Sequence, residues 1–255
     1  MSIYPSDLSD RKWNLIASFI PDPKSGGRPR TTSMRSVVNA ILYINKTGCQ
    51  WRFLPVNFPP YQTVYGYFNQ LKLQGIWDNM MHNLREKIRI KEGKNSTPTA
   101  GIIDSQTVKS VEESNSRSGY DGGKKIKGTK RHIIVDTLGL LICVLVHSAR
   151  KQDRSMGKQM IEKAVSISPT LEIFWADSGY TGSLISDIKV SLNRTLEIIK
   201  RPRKQFKIVG WRWIVERTFG WFNRYRRLSK DYERKTDTSE VWVKITSIAL
   251  MINRL

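Results

Sequence analysis

Three acids stand out by the residues around them: Asp104, Asp177 and Glu216. Asp104 follows the apolar start of AGIIDSQTV, a stretch that reads as a strand. Asp177 ends the strand-like EIFWAD and leads into a Ser-Gly turn. Glu216 lies one turn into a helix that opens near Trp211. Ligand sites in open α/β sheets gather at strand ends and where strand order reverses. If the strands bearing Asp104 and Asp177 are neighbours, the two acids face each other and the later helix can lay Glu216 beside them. Carboxylates crowded together raise one another's pKa. A divalent cation relieves this, and Mg²⁺ favours hard oxygen ligands. Two such ions about 3.5–4 Å apart can bind the attacking and leaving oxygens of a phosphodiester. Each acid taken singly has a plainer reading: Asp104-Ser105 as a strand end, Asp177-Ser178-Gly179 as a turn, Glu216 as the partner of Arg212 or Arg217.

The elements that must hold these acids change character along the chain. Residues 1–92 read as helical. Ser9, Ser33 and Thr63 are candidate caps, and apolar stripes recur at Val37, Val38, Ile41 and Leu42 and at Trp77, Met80, Met81, Leu84 and Ile88. Short helices with tight connections suit a helix-turn-helix-like module. The polar segment 93–99 reads as a linker. From 100 to 255 the pattern predicts strands at AGIIDSQTV, HIIVDT, LLICVLVHSA, EIFWAD and LEIIKRP, with helices between and after the last three. The near-continuous run LLICVLV predicts a strand buried on both faces. The basic stretch 118–131 reads as a glycine-rich loop. The fold class is therefore α+β, with a mixed five-stranded sheet. In the helix from Trp211 to Leu228 the expected apolar stripe is Ile214, Trp221, Tyr225 and Leu228. Asp121, Asp136, Asp153 and Asp187 read as loop or turn residues.

Charge points to the partner. The 255 residues carry 43 Lys and Arg against 22 Asp and Glu, a formal charge of +21. Such an excess bears on partners rather than on fold, and a polyanion, nucleic acid before membrane, is the expected one. No apolar run nears the length of about 20 residues that spans a bilayer. The N-terminus lacks a basic region followed by an apolar stretch, so no secretory signal is read. Cys49 and Cys143 read as thiols of a reducing compartment. The three histidines show no metal-ligand spacing with either. Residues 200–235 alone hold 13 Lys and Arg against 3 acids. GRPR, residues 27–30, could touch phosphates or a minor groove through Arg28 and Arg30.

These motifs together resemble the bacterial insertion-sequence transposases of the Asp-Asp-Glu (DDE) class, in the insertion-sequence family-five branch. LSDRKWNLI, GRPR, ILYINKTGCQWRFLP and FPPYQTVYGYF are similar to that family's helical N-terminal domain. IDSQTVKS, GYDGGKKIKGTKRHIIVDTLGLL, ADSGYTG and WIVERTFGWFNRYRRLSKDYE are similar to its catalytic domain. The resemblance covers nearly the whole chain. It implies a ribonuclease-H-like catalytic fold with Asp104, Asp177 and Glu216 as the catalytic and metal-binding triad, and two Mg²⁺ or Mn²⁺ ions as cofactor. It implies binding of terminal inverted repeats, cleavage at element ends and joining of the 3′-hydroxyl to target DNA, by a dimer or larger assembly in the bacterial cytoplasm at the nucleoid. Expected phosphate contacts are Lys124, Lys125, Lys127, Lys130, Arg131, Arg212, Arg224 and Arg227, with Arg28 and Arg30. The wider class pattern of Tyr, two residues, Arg, three residues, Glu, six residues, Lys is met at Arg212 and Glu216; Val209 and Asn223 depart from it. Mid-helix Gly220 costs about 1 kcal/mol relative to Ala, which close approach of DNA or of a strand would explain. The rival readings are a catalytically decayed DNA-binding remnant and a stand-alone metal-dependent nuclease.

Overall fold

A computed structural model describes residues 3–23, 26, 29–112, 117–199 and 211–255. The N-terminal part is helical: α1 (Asp10–Asn14), α2 (Met34–Thr47), α3 (Tyr61–Leu73) and α4 (Ile76–Lys91). Ser9 and Ser33 cap α1 and α2 through their side chains, as expected. The third cap differs: α3 starts at Tyr61 behind Pro60, so Thr63 lies inside the helix rather than capping it. Gly48 ends α2 in the left-handed conformation, φ 71°, where a side chain is strained.

The sheet has six strands rather than five: β1 (Ala100–Lys109), β2 (Gly119–Asp121), β3 (Ile126–Val135), β4 (Leu141–Ser148), β5 (Ile173–Ala176) and β6 (Thr195–Ile198). β1, β3 and β4 form an antiparallel meander, β2 adds to the start of β3, and β5 and β6 run parallel to β1 in the order β3-β1-β5-β6. The expected glycine-rich loop at 118–131 is largely β2 and the first half of β3. Alternation there is hidden because the residues that become buried, Thr129, Lys130 and Arg131, are polar. Gly128 is required where β3 pairs with the end of β1, since a Cβ would lie 1.8 Å from the Val108 carbonyl oxygen.

Helices cover both faces. On one side α5 (Asp153–Ile167) and α6 (Leu184–Leu192) pack with Ile103, Ile134 and Phe174. On the other lie α7 (Arg212–Phe222), α8 (Thr236–Ile252) and the N-terminal helices, with Ile102, Ile133 and Val144. Each such buried aliphatic or Phe side chain contributes about 1.5–3 kcal/mol. The α7 helix is shorter than expected. It stops at Phe222, and its buried residues are Ile214, Val215, Thr218, Phe219 and Phe222. Tyr225 and Leu228 are also buried, but beyond the helix end, so extending one stripe through them misplaced Trp221.

The N-terminal helices share this core. Trp77 and Leu84 of α4 join the same apolar cluster as Leu141 of β4 and Trp242 of α8. One buried ion pair fixes the junction: Arg89 of α4 meets Asp136 of the β3–β4 turn at 2.6 Å, with Asp136 fully buried. Asp136 also accepts from the Leu138 and Leu140 N–H groups, which shapes that turn. Breaking a buried pair strands its other charge. Asp136→Ala is therefore expected to lower stability by about 3–5 kcal/mol, read by urea unfolding; a wild-type midpoint would show that the pair does not hold the junction.

Candidate active site

Parallel pairing of β1 with β5 sets Ile102 against Trp175. Two residues further along each chain stand Asp104, still within β1, and Asp177, just past the end of β5. The Asp177 side chain caps the following turn by accepting the Gly179 N–H at 2.8 Å. Asp104 shares the face of Ile102, onto which α7 packs. Three contacts seat that helix. Trp211, at its start, stacks on Trp175 with ring centroids 4.6 Å apart and planes 5° from parallel. Near the far end, Gln106 of β1 donates to Asn223 at 3.4 Å. Between them Thr218 bonds the Gly139 carbonyl at 3.1 Å.

The arrangement brings Glu216 into the group through Arg212. The Arg212 guanidinium lies 3.5 Å from Asp177 and 3.4 Å from Glu216. Asp104 is close enough to both Asp177 and Arg212 to feel their charge. Burial pushes the Asp104 carboxyl up to about 6, and Asp177 adds to the rise. The Ser105 N–H, bonded to Asp104 Oδ1 at 2.7 Å, pulls the other way, as do Arg212 and Lys124. All three candidate ligands offer hard carboxylate oxygens, the donor type that Mg²⁺ or Mn²⁺ favours. Among the described residues no three acid, imidazole or thiolate groups already converge on one point. The positive charge between Asp177 and Glu216 is instead a guanidinium. The donor chemistry thus fits a divalent cation once Arg212 swings aside.

Behind β1, on the α5 face, lies a buried polar network that the sequence reading missed. Ser105 donates to Asp153 at 2.9 Å, and Lys130 reaches Asp153 at 3.0 Å and Asp121 at 3.5 Å. His132 approaches Asp153 at 3.4 Å and His147 at 2.7 Å. Burial pushes both imidazoles down, His147 to about 4. Asp153 is held far below the usual carboxylate range by hydrogen bonds and charge from His132 and Lys130, against burial that raises it. Tyr180 packs edge-on to His132 at 6.0 Å. Burial raises its hydroxyl's pKa, and the charges of Asp104, Asp153 and Asp177 add to that. The available signal was period-two spacing: Ser105 and Thr107 alternate with Asp104 and so had to face the opposite side.

The expected phosphate contacts divide. Lys124, Lys125 and Lys127 are exposed on the β2–β3 hairpin, and Arg224 is exposed beyond α7. Arg30 is partly buried and donates to the Pro21 carbonyl at 2.9 Å; Arg28 lies outside the described residues. Lys130, Arg131 and Arg227 are buried and committed within the fold, which corrects their assignment to phosphates. Arg131 donates to the carbonyls of Leu228 and Lys230, and Arg227 pairs with Glu233 beneath Trp242. Arg212 faces carboxylates. No strand explains Gly220, since a Cβ there would meet nothing within 4 Å.

A mixed sheet flanked by helices, with one acid within a strand, one just past the end of its parallel neighbour and one on a following helix, is a ribonuclease-H-like arrangement of the DDE transposase class. The sequence comparisons agree. Residues 8–81 match the family described as putative transposase of IS4/5 family, and residues 95–252 match the transposase DDE domain. The second match spans more than half of the chain, and the protein belongs to the transposase DDE-domain family, whose members are metal-dependent. The chain is 26% identical over 138 residues to a putative transposase for insertion sequence element IS402 of Burkholderia cepacia, covering 50% of this chain and 64% of that one. It is 28% identical over 111 residues to an uncharacterized 16.2 kDa protein of the same element, covering 41% and 74%. The matched length is thus just under two thirds of the first relative.

The raised Asp104 carboxyl has a consequence for stability. Its folded value lies above the ordinary 3.8, so its cost is absent below that pH, grows as pH rises, and is complete above about 6. Asp104→Asn is expected to stabilise the metal-free protein at pH 7 by on the order of 3 kcal/mol, and to change nothing at pH 3. Urea unfolding in EDTA at the two pH values reads this; an equal effect at both would contradict the burial argument.

Proposed function

We propose that the protein is a DNA transposase that binds the terminal inverted repeats of an insertion sequence, cleaves at the element's ends and joins the 3′-hydroxyl to target DNA. The observation that carries this reading is the gathering of Asp104, Asp177 and Glu216 around Arg212, in a +21 chain of the DDE-domain family. Asp104, Asp177 and Glu216 would hold the metal. When bound, two Mg²⁺ or Mn²⁺ ions supply Lewis-acid activation of the attacking oxygen and stabilisation of the leaving one. Arg212 then exchanges its carboxylate partners for a DNA phosphate near the scissile bond, so the site does not accumulate unbalanced charge. Lys124, Lys125 and Lys127 grip the backbone from the hairpin, and Arg224 does so from the end of α7. The helices of residues 1–92 form the helix-turn-helix-like domain that reads the repeats. Residues 93–99 link it to the catalytic domain, 100–255. Pairing two ends requires a dimer or larger assembly, working in the bacterial cytoplasm on nucleoid DNA. No helix among the described residues is long and apolar enough to cross a membrane.

The test uses a duplex carrying the element's end, with Mg²⁺, and compares wild type with Glu216→Gln. Wild type is expected to give metal-dependent cleaved and joined products. The variant should lose at least about 100-fold of that rate, as removal of a transition-state-stabilising group does, while keeping its DNA affinity. Cleavage without joining favours a nuclease. Binding with no cleavage by wild type favours a decayed remnant. Full activity in the variant removes Glu216 from the site.

Gly220 offers a second check. With open space beside it, Gly220→Ala should raise stability by about 0.5–1 kcal/mol. If the DNA backbone passes close to this face of α7, the same change weakens duplex binding; unchanged affinity in the more stable protein places the backbone elsewhere.

A further inference from the structure

A cleft of about 550 Å³ opens between the helical N-terminal part and the segment leading into α8, bounded by Trp51 and Tyr65 on one wall and Tyr232 on the other. Its aromatic character is unusual for a surface. Tyr65 is 47% exposed and Tyr232 37% exposed. Trp51 supports Tyr65 from behind, edge-on, at 5.1 Å between ring centroids, and itself rests on Trp242 at 5.8 Å. Tyr232 is held by a hydrogen bond between its hydroxyl and Ser229 at 3.1 Å, and Arg227 lies 5.6 Å from its ring. These rings are therefore fixed in place before anything binds.

The rim is cationic. Arg52, Arg234 and Lys235 are exposed at the cleft, and none forms an ion pair among the described residues. The acid inside, Glu233, is matched by Arg227 at 3.0 Å, and Lys72 is matched by Asp237 at 3.0 Å. The free charge is positive, which complements a phosphodiester backbone. Stacking on exposed rings adds a second requirement. A base inside a duplex offers only its edges, because both its faces are covered by its neighbours. An unpaired base can lay a face on an aromatic ring while its phosphates meet lysines and arginines.

We propose that this cleft binds an unpaired stretch of DNA, with bases stacked on Tyr65 and Tyr232 and phosphates held by Arg52, Arg234 and Lys235. The inference rests on the reading that the protein acts on DNA. It adds a single-strand site made by the helical part and the C-terminal segment together, separate from the three acids. Such a site would hold DNA that is locally opened beside a cleaved end.

The experiment measures anisotropy of a fluorescein-labelled 12-nucleotide oligothymidylate on the full-length chain, beside a labelled 12-base-pair duplex. Tyr65→Ala and Tyr232→Ala are each expected to weaken the oligothymidylate by about 5- to 100-fold, the range for losing one stacked base, with the duplex little changed. Tyr65→Phe keeps the ring and should bind like wild type, which separates stacking from misfolding. Arg52→Ala combined with Arg234→Ala should flatten the salt dependence of oligothymidylate binding by about 1.4 log units per log unit of salt. Equal losses for oligothymidylate and duplex, or no loss for either in the tyrosine variants, overturn the proposal. A protein that neither cleaves nor joins ends, yet loses oligothymidylate binding with Tyr65→Ala, sinks the transposase reading and leaves the cleft standing. An active protein whose oligothymidylate affinity ignores both tyrosines does the reverse.

Discussion

A helix that is apolar nearly all the way round must be covered on every side, and α8 is such a helix. It buries Val241, Trp242, Val243, Ile245, Ile248, Met251 and Ile252, along with Thr246 and Ser247. The chain covers it with α4 and α2 on one side and with β4 on the other. Its few polar groups find partners inside: Thr246 with Asn45 at 3.0 Å, and Lys244 with Asp78 at 2.7 Å. Because of α8, the N-terminal helices and the sheet share one core rather than two. The helical part is therefore held in a fixed relation to the strands that carry Asp104 and Asp177.

At the open end of those strands the governing constraint is electrostatic. Asp177 and Glu216 flank Arg212, and Asp104 lies close enough to Asp177 to feel its charge, because strand register and the seating of α7 put them there. Without compensation that proximity is unfavourable. Arg212 supplies it, one helical turn before Glu216 and within reach of Asp177. The site thus keeps a raised Asp104 carboxyl and a borrowed cation, an arrangement that gives up some stability for a place where charge can be exchanged. Behind β1, Lys130 and His132 each pair with Asp153, so the strand bearing Asp104 is backed by a polar network next to the apolar packing of Ile103 on α5 and α6.

The basic residues serve two purposes that composition cannot separate. Arg131 is buried, with its pKa pulled down to about 10, and it ties β3 to the segment around Leu228. Asp231 completes that tie, accepting from Thr129 and from Ser239, each at 2.7 Å. The hairpin lysines 124, 125 and 127 are exposed. A run of cations in the sequence is therefore part fastening and part surface.

The sequence by itself determined the α+β order, the caps at Ser9 and Ser33 and the buried strand at 141–148. These follow from local rules: side-chain period, cap chemistry and the length of apolar runs. Motif resemblance supplied the family. Only the tertiary structure decided the rest. It turned a polar, glycine-rich stretch into β2 and half of β3, because the hydrogen-bond partners of its buried residues, the Leu228 and Lys230 carbonyls and Asp231, come from a segment about a hundred positions later. It ended α7 at Phe222 and joined the helical part to the sheet through α8. It also sorted cations into buried and exposed, and it set Arg212 among the acids while pairing Arg227 with Glu233. Each of those outcomes depends on which distant residue packs alongside, and no local pattern in the chain carries that.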